Sequence, residues 1–368
     1  MRQGITRRAM LAMLPGGLAA AASKPVQRTR QLPSVGEFVR FADPVTETPV
    51  VRLTNPVSAS VLPAATNRFV SVKDRFLVFS SNRTGRFAPF RVNLRTGVLT
   101  QLASPQALDP RSLCLDRAEK LLYFLDGGSL RRVSLVGKKE EPPVTSKISA
   151  FSMGASATEF LVLREGTLEY LNGDAVQLIA ENVSGECLIQ PGGKGCIFAR
   201  GASESRDYEN REYWYAPLKT PRPVLTQLAG GRVSDAVWSA DGRSILFLRE
   251  IAKGDIVISE IWEATLETAT ARCIAPTSQF AVFSPNADDS VFVGASRSRA
   301  QRNIILLLRS VRREFTLCEH RSKDAGFASP VFSPDSKRVY FDSDRDGKPA
   351  IYSVNVELLV EPTPDTGQ

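Results

Sequence analysis

The chain has 368 residues and a single histidine, His320, which limits its chemistry before any fold is considered. One imidazole can serve as an acid or a base, but it cannot also furnish a multi-histidine metal cage. No Gly-x-Ser-x-Gly elbow is present for Ser-His-Asp catalysis, and Gly192, Gly193 and Gly195 read as a turn rather than a phosphate cradle. Carboxylates gather at Asp342, Asp344 and Asp346. Such oxygen donors suit a hard cation, yet Asp346 followed by Gly347 is also hairpin chemistry, and both readings stand. The five cysteines, Cys114, Cys187, Cys196, Cys273 and Cys318, include no close pair at metal-site spacing. In an exported chain Cys187 could bridge to Cys196 across adjacent strands; the other reading makes each a small buried hydrophobe.

Arginines are the remaining candidates. Lys and Arg number 47 against 39 acidic residues, a formal charge of +8, with clusters at Arg297, Arg299 and Arg302 and at Arg309, Arg312 and Arg313. A guanidinium grips a carboxylate through two parallel hydrogen bonds, so Arg68, Arg83, Arg297, Arg299 and Arg345 are the candidate ligand-binding residues for an anionic ligand. The plainer reading of arginines on hairpin loops is a solvated surface. Nucleic acid is not an expected partner, because export removes it and no stacking surface of interleaved aromatic and basic residues is apparent.

The elements that must position these side chains are legible in a repeat. From Ser329 to Val356 the chain reads as one antiparallel module: a short strand ending at a Pro turn, the strand Arg338 to Phe341, the hairpin turn Asp346-Gly347, and an alternating strand from Ala350. Its landmark, an apolar or aromatic residue followed by Ser and then Pro-Asp, recurs in clear form at Trp238-Ser-Ala-Asp-Gly242 and Phe283-Ser-Pro-Asn286. Weaker copies stand at Val70-Ser71, Leu113-Cys114, Phe151-Ser152 and Leu188-Ile189. Taking Ser71, Cys114, Ser152, Ile189, Ser239, Ser284 and Ser333 as markers, the steps are 43, 38, 37, 50, 45 and 49 residues. Strand-only repeats of that length imply an all-β, seven-bladed β-propeller of four-stranded antiparallel blades.

Such a ring must hide its sheet edges. Several blades finish with a strand like Val98-Leu-Thr-Gln-Leu102, as at Val224-Leu-Thr-Gln-Leu228, but the last copy has none, whereas Pro49-Val-Val-Arg-Leu-Thr54 precedes the first landmark. Residues 49–54 are therefore expected to close the circle as the outer strand of the last blade. A hydrophobic content of 43%, a charged content of 23%, 25 Gly and 23 Pro agree with an all-β body rich in turns. Length alone would suggest two domains, but a repeat array forms one continuous body, expected over residues 49–360.

At the front, Arg2, Arg7 and Arg8 precede the mostly apolar run from Ala9 to Ala22, the pattern of an export signal over residues 1–23. Thr6-Arg-Arg-Ala-Met-Leu11 resembles the twin-arginine signals of bacteria, with an ordinary Sec signal as the alternative. Cleavage after Ala22 would remove three arginines, taking the charge from +8 to +5 and leaving no membrane span. The expected location is periplasmic or secreted. Residues 24–48 read as an irregular lead-in and residues 361–368 as a tail.

A family resemblance can be named from these residues. Phe332-Ser-Pro-Asp335, Val339-Tyr-Phe341, Ser343-Asp-Arg-Asp-Gly347 and Ile351-Tyr352 resemble the WD40-like (PD40) propeller repeat of the TolB-like proteins. Within that group, Val50-Val-Arg-Leu-Thr54, Asn67-Arg-Phe69, Leu77-Val-Phe-Ser-Ser81, Arg91-Val-Asn-Leu-Arg-Thr-Gly97 and Thr100-Gln-Leu102 resemble the opening blade of the oligogalacturonate lyases, polysaccharide lyase family 22. The likeness covers residues 48–135 and 325–356. It implies a seven-bladed propeller that cleaves short pectin fragments by β-elimination with a manganese-type ion, a basic side chain taking the proton at C5 beside a carboxylate.

Where that family carries metal-site histidines, this chain departs from it. The family's His-Pro-His stands just ahead of the final Pro-x-Phe-Ser-Pro-Asp, and here those positions hold Phe327-Ala-Ser329. The stretch matching the opening-blade histidines is Ala64-Ala-Thr-Asn-Arg-Phe69. His320, after an expected outer strand from Glu314 to Cys318, reads as a surface or blade-edge histidine. The resulting expectation is an exported lyase-like propeller, non-catalytic or with altered chemistry, whose central mouth binds an oligouronide or other acidic saccharide, or a protein partner. The alternatives are an active oligogalacturonate lyase using Arg, Lys or Tyr as base, and a TolB-like interaction module of the cell envelope. No cofactor is expected except manganese under the active-lyase alternative, and no catalytic residue is assigned.

Overall fold

The computed structural model describes residues 36–201, 210–253, 256–277 and 279–359. The expected export signal at 1–23, the start of the lead-in and the tail at 361–368 lie outside the described residues. Seven antiparallel sheets follow one another along the chain. Blade 1 comprises Ser60–Val61, Phe76–Ser81, Ala88–Asn93 and Leu99–Gln101, and blade 2 comprises Cys114–Leu115, Leu121–Asp126 and Ser129–Ser134. Single bridges from Val133 to Glu140 and Leu130 to Thr145 take the place of a fourth strand in blade 2. Blade 3 is Ala150–Met153, Glu159–Arg164, Thr167–Asn172 and Ala175–Ala180; blade 4 is Cys187–Ile189, Gly195–Arg200, Arg211–Pro217 and Thr226–Gly231. Blade 5 is Val233–Trp238, Ser244–Lys253, Ile256–Thr265 and Thr270–Thr277; blade 6 is Phe280–Pro285, Val291–Ser296, Asn303–Leu308 and Arg313–Glu319. Blade 7 is Val331–Phe332, Arg338–Ser343, Ala350–Asn355 and, from the other end of the chain, Pro49–Arg52.

The landmark repeats because it builds one turn. The Ser71, Ser239 and Ser333 hydroxyls accept from the amides of Phe76, Ser244 and Arg338, five residues on, at 3.0–3.1 Å. In blades 2 and 6 the same bond is made by the side chains of Asp116, to the Leu121 amide, and Asn286, to the Val291 amide. Three residues after each of these markers the backbone is left-handed, at Asp74, Glu119, Gly242, Asp289 and Ser336. Small and polar residues tolerate that conformation best, which is why the landmark drifts in sequence while keeping its chemistry. The same turns also tie neighbouring blades together, as when Tyr340 Oη donates to Asp74 at 2.6 Å and the Ala240 amide to Asp289 at 2.6 Å.

Between blades the facing sides are apolar and dry. Phe79, Phe198, Phe247, Phe292, Phe341 and Tyr352 have no exposed surface. Four cysteines, Cys114, Cys187, Cys196 and Cys318, are free thiols in this packing and Cys273 is exposed; Cys187 opposes Phe198 rather than Cys196, so the cross-strand disulfide reading is not realised.

Closure follows the expected route. Val50, Val51 and Arg52 pair with Val354, Ser353 and Tyr352, and the Leu53 amide donates to Ile351 O at 2.7 Å. Asp346 locks the junction by accepting from Arg52 and from Tyr352 Oη, both at 2.8 Å. One expectation needs correction: part of the lead-in is regular. Val39–Ala42 forms a fifth strand outside Pro49–Arg52 because Asp43 caps the connecting turn, accepting from Val45 and Thr46, while its other oxygen accepts from Glu319 of blade 6. Those amide donors hold the Asp43 pKa below its ordinary value despite the opposing effect of burial.

Deleting residues 45–55 is expected to lower the melting midpoint by more than about 10 °C, because both the closing strand and its buried Val50 are lost. The milder Val50→Ala should cost about 2 kcal/mol. Thermal unfolding by circular dichroism measures both, and an unchanged midpoint in the deletion would contradict the closing role.

Candidate ligand-binding channel

Every blade starts at the ring's axis, and its first strand runs in the same sense, so the channel has two chemically distinct ends. Residues early in each first strand line one end and residues late in it line the other: Gly185 to Leu188 against Leu188 to Pro191 in blade 4, and Asp235 to Val237 against Val237 and Trp238 in blade 5. We call these the entry and exit chambers.

The entry chamber has two lobes of about 370 and 440 Å³ that share Ala64, Thr66, Arg111 and Glu186. Its charged residues come from different blades. Arg111, just ahead of the blade 2 landmark, forms an ion pair with Asp342 of blade 7 at 3.4 Å and lies 5.3 Å from the Phe327 ring centroid. It also donates to the carbonyls of Leu62 and Phe327. Held on three sides, its side chain still keeps 35% of its surface in solvent. Asp342 is fully buried and accepts from the Leu62 amide at 2.9 Å; burial pushes its carboxyl up to about 7, against the opposing pull of Arg111 and that amide. The hairpin reading of Asp342 is therefore corrected, since it lies within the strand Arg338–Ser343 and its carboxylate is held by Arg111 and the Leu62 amide. Asp344, by contrast, serves the turn through its carbonyl, which accepts from Gly347.

A second charged group spans blades 4 and 5. Arg211 pairs with Glu186 at 3.6 Å, and Glu186 accepts from Tyr213 Oη at 2.7 Å. Asp235 sits opposite on a bulge in the first strand of blade 5, with φ of 54°, and accepts from Ser234 Oγ at 2.8 Å. A left-handed aspartate in a strand is strained, and the bulge is what turns it toward the chamber. Burial pushes its carboxyl up to about 7, and the Glu186 charge adds to the shift.

The exit chamber, about 330 Å³, is lined by Asn67, Arg68, Arg117, Met153, Gln190 and Trp238 among others. Of the five sequence-expected arginines, Arg68 is the one on this lining. Arg83 is held by Glu37 at 2.9 Å and stacks on Phe79 and Phe90. Arg297 pairs with Glu250 at 2.7 Å while adding its charge to the surroundings of Asp235; Arg299 is exposed. Arg345 stacks on Phe41 and Tyr352 at the outer side of blade 7. Sequence reasoning missed Arg111, Glu186, Arg211 and Asp235. Their one shared signal was position, each standing within a few residues ahead of a landmark or beginning a strand.

No protein-family model matches the chain, and no curated protein matches it. Solved structures do. An oligogalacturonate lyase in complex with manganese superposes with a TM-score of 0.79 at 18% identity, over 88% of this chain and 97% of that one. The fold is that of the oligogalacturonate lyases. A second such lyase, from Vibrio parahaemolyticus, gives 0.77 at 16% identity over 88% and 98%, and hydrazine synthase of Kuenenia stuttgartiensis gives 0.58 at 14% over 79% and 95%. The positions at which the resemblance places metal-site histidines carry none here. Phe327 and Ser329 line the entry chamber, as do Ala64, Ala65 and Thr66, and none brings an imidazole. Among the described residues no three His, Cys, Asp or Glu side chains converge as a metal site.

His320 corrects the surface reading. It has no exposed surface, and both ring nitrogens are engaged between blades 6 and 7: Nδ1 accepts from the Ser322 amide at 3.1 Å, leaving Nε2–H to donate to Ser296 O at 3.2 Å. Burial pushes its pKa down to about 4. A depressed histidine pKa means that the unfolded chain takes up the proton first, so stability is intact above about 6.5 and is lost as pH falls through about 4. The lost contribution is about 3 kcal/mol. In His320→Gln that loss is absent, so the gap in melting midpoint between wild type and variant is expected to narrow from pH 7 to pH 4. A gap that stays constant would contradict the buried neutral imidazole.

Proposed function

We propose that this chain is an exported, lyase-like propeller that binds a carboxylate-bearing saccharide in its entry chamber, without the metal-dependent chemistry of the manganese-bound lyase that shares its fold. The observation that carries the reading is Arg111. Its guanidinium is positioned in advance by Asp342, Phe327 and the Leu62 carbonyl, yet it remains partly open to the chamber. A cation immobilised before the ligand arrives loses little side-chain entropy on binding and offers a planar fork to a carboxylate. Arg211, across the chamber beside Glu186, supplies a second cation for a second uronate unit. Export rests on the residues 1–23 pattern, and the periplasm or the exterior is where such saccharides would be met.

Asp235 favours a second reading, in which some elimination chemistry survives by another route. A carboxyl titrating near 7 in a strained turn is poised to act as a base. It would take the C5 proton of a uronate; the C4–C5 double bond would form as the C4–oxygen bond breaks, the departing oxygen leaving as a hydroxyl with a proton from water, and an arginine would hold the substrate carboxylate.

Calorimetric titration with trigalacturonate is expected to show saturable binding that weakens with added salt and falls at least about tenfold in Arg111→Ala, the loss of one charge-assisted hydrogen-bond pair. The absorbance of unsaturated uronide product should not rise, with or without added manganese. Product formed without manganese and abolished in Asp235→Asn would replace the first reading with the second. Turnover that requires manganese would sink both.

A further inference from the structure

The exit chamber holds two arginines that the rest of the molecule does not neutralise. Arg68 and Arg117, on neighbouring blades 1 and 2, line both the exit chamber and the smaller cleft of about 240 Å³ beside it. Among the described residues neither guanidinium makes a hydrogen bond or an ion pair within 4 Å. Burial holds the Arg68 pKa below its ordinary value and the Arg117 charge lowers it further, against the opposite pull of Cys114 and Asp116. The two cations therefore repel one another across the chamber they both line.

The nearby carboxylates are engaged elsewhere. Asp116 accepts from the Lys120 and Leu121 amides at 2.7 and 2.8 Å; Glu119 accepts from the Val72 amide and pairs with Arg75 at 3.6 Å. The Arg68 carbonyl accepts from the Leu115 amide at 2.7 Å, which fixes its backbone against blade 2. Two like charges on the wall of one cleft are an unfavourable arrangement that an anion relieves.

Met153, Leu188 and Trp238 supply apolar lining to the same chamber, and the Gln190 side chain, held by donation from Nε2 to Gly242 O at 2.7 Å, borders it. We infer that the exit chamber is a second binding site, for a small carboxylate such as a single sugar acid, with Arg68 and Arg117 taking the carboxylate. At about 330 Å³ the chamber has room for one sugar-acid unit. Its two arginines do not line the entry chamber, although Thr66 and Asn67 border both chambers.

Glucuronate is a suitable probe, with glucose as its neutral counterpart, in calorimetric titrations of the full chain. Glucuronate should bind saturably and glucose should not. In an Arg111→Ala background, which removes the entry-chamber site, glucuronate should still bind saturably, and adding Arg68→Gln or Arg117→Gln should each weaken that binding at least about tenfold. Should Arg68→Gln fail to fold, the exposed Arg117 carries the test alone, with circular dichroism as the control. The assignment is overturned by absence of saturable glucuronate binding in Arg111→Ala, which would move the ligand to the entry chamber, or by binding that survives Arg117→Gln in that background.

Discussion

The structure depends on one pairing, that of Pro49–Arg52 with Ala350–Asn355. Without it the last blade would expose an open edge, and the segment that leads into blade 1 would not be hydrogen-bonded into blade 7. Because the closing strand comes from the N-terminal side, the two ends of the propeller's chain are joined in one sheet, and the ring becomes a single cooperative body. Arg52, Asp346 and Tyr352 add a polar lock at the same seam. Every chemical feature of the channel is downstream of that closure, since Arg111 of blade 2 meets Asp342 of blade 7 only in a closed ring.

Closure also explains why the two channel ends differ. Seven first strands run in the same sense around the axis, so residues before each landmark collect at one end and residues after it at the other. The landmark side must build tight turns, and its polar side chains are largely spent on backbone amides. The preceding side is free of that demand and carries paired charges: Arg111 with Asp342, and Arg211 with Glu186. Arg68 and Arg117 stand out because they lie on the turn side and still lack partners within 4 Å among the described residues.

Shared fold and divergent site are both consequences of where the packing constraint acts. The interblade surfaces and the landmark turns are what a propeller needs, and they suffice to superpose this chain on oligogalacturonate lyases at 16–18% identity. The channel lining is not required for packing, so it can change without loss of the ring. Phe327 illustrates this: at the position where the resemblance places metal ligands, it packs its ring under Arg111 instead.

By itself the sequence determined the blade count, the landmark turns and the closing strand, because each rests on short-range chemistry: a side-chain oxygen meeting an amide five residues on, a hairpin Asp-Gly, an alternating strand. It also determined that a histidine cage was out of reach, which needs only a count. It did not determine which arginines face the channel. Arg83 and Arg345 look as available as Arg68 when read along the chain, yet Glu37, Phe41 and Tyr352 claim them. His320 looked exposed for the same reason, since the atoms that bury it belong to Ser296 and to blade 7. Only the tertiary structure decided these cases, because a charge's role depends on the nearest partners in space, and in a closed ring those partners come from neighbouring blades or from the opposite end of the chain.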